Sequence, residues 1–104
     1  MPFHEEPQGY YKTALSDLQG SWQLLRNTVL EKHPFPDSDR LLFHIEEGMS
    51  WESVRNLDSM HKTLLLIRNI AIKAKAPEDV IEDIELVSED LDEVLAAISE
   101  GEKI

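Results

Sequence analysis

Residues Leu64–Ala76 read LLLIRNIAIKAKA, the most apolar run in the chain. Placed with Trp51–Thr63 on a helix at about 100° per residue, this stretch divides unevenly. Arg55, Asp58, Ser59, Lys62, Asn69 and Lys73 gather on one narrow arc, while Leu57, Met60, Leu64, Ile67, Ile70, Ala71 and Ala74 fill the opposite side. Val54, Leu65 and Ile72 carry the apolar region further round. A helix covered on one side shows a stripe of roughly 100°, and this arc is about twice as wide. The pattern predicts a central helix from Trp51 to about Lys75, with neighbours on most of its circumference. A strand does not suit the run, which is too long and lacks period-2 alternation. Inside the apolar arc stand His61 and Arg68, at i and i+7. They read as a buried polar pair, because an unpaired Arg there would cost several kcal/mol unless it met a carboxylate or reached water. A structural ion pair is the plainer reading, and an anion site at His61 and Arg68 is the functional one.

The neighbours come from both ends of the chain. In the first predicted helix, from about Gln8 or Tyr10 to Lys32, Tyr11, Leu15, Leu18, Trp22, Leu25 and Val29 are spaced 4, 3, 4, 3, 4. In the last, from Pro77 to about Ser99, Val80, Ile84, Val87, Leu91, Val94 and Ile98 repeat the same spacing. That period keeps an apolar seam facing a partner helix. Ala14 and Leu95 widen the two seams, and Gly20 and Leu24 fall off the first. His33-Pro34-Phe35-Pro36 ends the first helix, since proline removes a donor and restricts the residue before it. Asp37 or Ser38 caps a short second helix, about Asp39–Glu47, carrying Leu41, Leu42 and Ile45. Gly48 reads as its C′ residue, Ser50 as the N-cap of the central helix, and Met49 with Val54 as a hydrophobic staple. Gly48–Ser50 is therefore expected to be a tight corner.

The expected fold is all-α: an antiparallel bundle of three long helices plus one short helix, four in total, with room for a homodimer that completes a larger bundle. Residues 1–7 read as an extended arm, 8–101 as one helical domain and 102–104 as a tail. No cysteine is present, which excludes disulfides and thiolate metal ligation. The N-terminal MPFHEEPQGYY has neither the basic nor the apolar region of a secretory signal, and no run approaches a membrane span, so the expected location is cytoplasmic.

The net charge is −11, and it is placed unevenly. Residues 1–76 carry 10 acids and 9 bases, whereas residues 77–104 carry 11 acids and one base, Lys103. Direct binding to nucleic acid or to an anionic membrane needs the opposite charge, so neither is expected. On the last helix Glu78, Glu82, Glu85, Glu89 and Asp92 recur at 4, 3, 4, 3, opposite the apolar seam, with Asp83, Asp90 and Glu93 beside them. Like charges at i, i+4 destabilise a helix by about 0.2–0.5 kcal/mol per pair. Such a strip is either a solvated face that favours solubility or a docking surface for a basic protein groove. Leu86, turned outward within it, is a candidate anchor, and Met49 and Trp51 form a second, apolar patch.

Catalytic chemistry has less support. His44 and Glu47 lie at i, i+3, but Glu-x-x-His motifs on paired helices are absent, as is HExxH, so no metal ligands and no cofactor are assigned. No serine stands in a nucleophile elbow and no Gly-rich phosphate loop exists. Arg55-Asn56 followed by His61 resembles the Arg…His signature of HEPN-type ribonucleases, which are also helical. The resemblance covers those residues alone and implies RNA cleavage dependent on His61. On a continuous helix, however, residues six apart diverge by about 120°. The expectation is a non-enzymatic interaction protein (adaptor, inhibitor, antitoxin-like or chaperone-like), binding a basic protein surface through Glu78, Glu82, Glu85, Leu86, Glu89, Asp92 and Glu93. The competing expectation is a helical nuclease or metal-dependent hydrolase that uses His61 and nearby arginines.

Overall fold

The computed structural model describes residues 5–54 and 56–103, with side chains described for residues 13–51, 54 and 56–98. The described residues are helical apart from three short connections. The elements are α1 (Glu5–Lys32), α2 (Ser38–Ser53), α3 (Leu57–Ala74) and α4 (Glu78–Lys103). α1 packs against α2 and α4, and α3 packs against the same two helices.

Five positions of each 3.5-residue seam are buried as their spacing predicts; Ile98 is half-buried, Leu95, expected to widen the second seam, is exposed, and the Tyr11 side chain lies outside the described residues. Leu15, Leu18, Trp22, Leu25 and Val29 of α1 are buried, as are Val80, Ile84, Val87, Leu91 and Val94 of α4. Between them lie Leu41 and Ile45 of α2 and Leu57, Met60, Leu64, Ile67, Ile70 and Ala71 of α3. At roughly 25 cal/mol per Å² of apolar surface removed from water, such a set is the main source of stability. Thr28 donates its hydroxyl to Asp83, and Lys32 pairs with Asp79 at 3.4 Å. The C-terminal part of α1 therefore lies beside the N-terminal part of α4.

Several boundaries differ from the sequence reading. The arm expected over 1–7 is helical from Glu5, with Pro7 in the first turn, where the missing N–H has no intrahelical acceptor to lose; residues 1–4 lie outside the described residues. At the other end α4 runs through Gly101 to Lys103, so the expected stop and the tail 102–104 are helical as far as Lys103. Proline at 77 stands one residue before the helix it was expected to begin: its carbonyl accepts from the amides of Val80 and Ile81 and caps α4, which starts at Glu78.

The largest correction concerns the corner at Gly48–Ser50. α2 passes through it to Ser53, so α2 and α3 are of similar length, 16 and 18 residues, and the arrangement of three long helices plus one short one is not found. Ser50 is no N-cap; its hydroxyl donates to the carbonyl of Glu47, one turn back inside α2. The cap of α3 is Asn56, whose side-chain oxygen accepts from the amide of Ser59 at 3.1 Å, while its own amide reaches back to the carbonyl of Trp51. The staple fails with the corner, since Val54 is 65% exposed.

The central helix is also not enveloped. Leu65 and Ile72 of α3 face solvent at 47% and 54%, so its buried residues occupy one side only, like those of its neighbours. α3 ends in a Schellman-type cap: Lys75 adopts φ 56°, its amide donates to Ile72, and the Ala76 amide donates to Ala71. Asp37, at φ 66°, opens α2 by accepting from the amide of Leu41. The His33–Pro34 peptide bond is cis.

Gly20 lies within α1 with open space where a Cβ would stand. Gly20→Ala should therefore raise stability by about 0.5–1 kcal/mol, the ordinary helix-propensity gain. Chemical denaturation with an unchanged slope would measure it, and a loss of stability would show an unseen neighbour at that site.

Candidate functional site

α4 buries one face against α1 and α3 and turns the other outward. Glu78, Glu82, Leu86, Glu89, Asp92 and Glu93 are all exposed, and Glu85 lies at the edge toward α3. The flanks of this surface are engaged by the neighbouring helices. Asp79 pairs with Lys32, Asp83 accepts from Thr28, and Glu85 pairs with Arg68 at 3.2 Å. Along the middle, Glu82, Glu89, Asp92 and Glu93 form no ion pair with a described basic side chain. The packing thus places partners at the edges of α4 and leaves its centre a continuous negative ridge. The exposed Leu86 stands among these carboxylates as the one apolar point named for the face.

His61 and Arg68 are not buried. Both face solvent, and the Arg68 side chain, half exposed, reaches across to Glu85 of α4. The apolar arc that suggested burial was overestimated, because Leu65 and Ile72, which share that side of α3 with Arg68, are themselves exposed. A surface pair of this type contributes about 0–1 kcal/mol. Its structural value lies in register, since it ties α3 to α4. Of the Arg55…His61 signature, His61 lies in the first turns of α3, which is capped at Asn56, and Arg55 lies outside the described residues.

Met49 and Trp51 do not make a free apolar patch. Both are partly buried and pack against the core. Met49 instead lines an open cleft of about 210 Å³ between α1 and α2, with Gln19, Trp22 and Gln23. The cleft continues toward Arg26 and Glu46, which are paired at 3.0 Å. The sequence reading missed this cleft because it ended α2 at Glu47. The signal that could have revealed it is a glycine one turn after Ile45 on the buried side of α2. Gly48 is where Trp22 closes on the α2 backbone, and a Cβ there would stand 2.4 Å from the edge of the indole ring. His44 and Glu47 form an i, i+3 pair at 3.0 Å on α2.

No helix among the described residues is long and apolar enough to cross a membrane. Comparison of the chain with family models, with curated proteins and with solved structures yields no match.

Proposed function

We propose that the protein is a non-enzymatic interaction protein, an adaptor or inhibitor in kind, that receives a basic protein surface on the outward face of α4. The observation that carries this reading is the uncompensated ridge of Glu82, Glu89, Asp92 and Glu93. Nothing in the packing requires carboxylates there, and alternating lysines would have stabilised the helix. A continuous negative ridge raises the encounter rate with a basic partner and opposes association with nucleic acid. In the same reading the four helices form an antiparallel bundle, and the protein works in the cytoplasm. The competing reading, a nuclease or metal-dependent hydrolase, calls for polar groups that converge in a pocket. His61 and Arg68 give it little support, because both are exposed and Arg68 is engaged by Glu85.

Glu82→Gln/Glu89→Gln/Glu93→Gln tests the proposal, leaving Glu85 in place because it holds Arg68. Tagged wild type and variant are compared in affinity capture at low and high salt, and the retained proteins are identified. A basic protein held by the wild type, released at high salt and missed by the variant is the expected result. Equal retention by both overturns the assignment. The same variant should melt several degrees higher, since relief of repulsion amounts to about 1 kcal/mol over the pairs removed. A lower melting temperature would show that the ridge is not kept at a cost in stability.

A further inference from the structure

We draw no further inference here: the strongest candidate, the open cleft between α1 and α2 lined by Gln19, Trp22, Gln23 and Met49, carries nothing, because nothing in the structure shows what would fill it, and the groups beside it that could direct a ligand, the Arg26–Glu46 ion pair and the Trp22 indole N–H that donates to Met60, already have partners.

Discussion

Trp22→Ala is expected to remove about 3–5 kcal/mol of stability, the usual cost of truncating a fully buried aromatic. That is a large part of the 5–15 kcal/mol or so that a domain of this size holds. Trp22 is 1% exposed and is the largest fully buried side chain among the described residues. It belongs to α1, its ring lies against the α2 backbone at Gly48, and its indole N–H donates to the sulfur of Met60 on α3 at 3.4 Å. One side chain thus holds three helices, and its loss opens a cavity that a helix backbone cannot collapse to fill. Urea denaturation followed by far-UV circular dichroism would measure the change. A loss below about 1 kcal/mol would show that the three helices are held together elsewhere.

Gly48→Ala is expected to destabilise, against the ordinary rule for a glycine inside a helix. Propensity alone would favour alanine by about 1 kcal/mol. The new methyl would stand 2.4 Å from Cη2 and 2.9 Å from Cζ2 and Cζ3 of Trp22, inside any tolerable approach. Overpacking of this kind costs about 1–3 kcal/mol, so after the propensity gain a net loss of up to about 2 kcal/mol should remain. Gly48→Val should lose about 3 kcal/mol or more, because the branched side chain cannot turn aside. The cause is testable separately from the size. In a double-mutant cycle with Trp22→Leu, the penalty of Gly48→Ala should vanish, giving a coupling of about 1 kcal/mol or more. A stabilising Gly48→Ala, matching that expected of Gly20→Ala, would mean that the indole yields freely and that the close approach carries no constraint.

These two residues also mark the boundary of what could be read without the fold. The seams of α1 and α4 were legible at the five positions of each that are buried, because a sustained 3.5-residue repeat admits one buried face. The outward direction of the acidic ridge follows from the same arithmetic, since it lies opposite the seam. The turn at Lys75–Pro77 was legible because proline and the first-turn acids of α4 carry local signals. The division between α2 and α3 was not. Gly48, Met49 and Ser50 offered a plausible corner, but the packing of Trp22 on Gly48 favours a continuous helix by more than the propensity cost of one glycine. The true break at Asn56 is marked by a single cap residue, which local pattern alone does not separate from Ser50.

The pairing of Arg68 was half legible. The need for a carboxylate partner follows from its charge, but which carboxylate, and at what depth, depends on how α3 is rotated against α4. The helical class, the buried faces of the first and last helices and the exposed charge of α4 all follow from period and composition along one segment. Only the packing shows where α2 ends, that α3 is covered on one side, and that Glu85 is the carboxylate that meets Arg68. Those features arise from contacts between residues far apart in the chain, and a periodicity within one helix carries no information about the rotation of its neighbour.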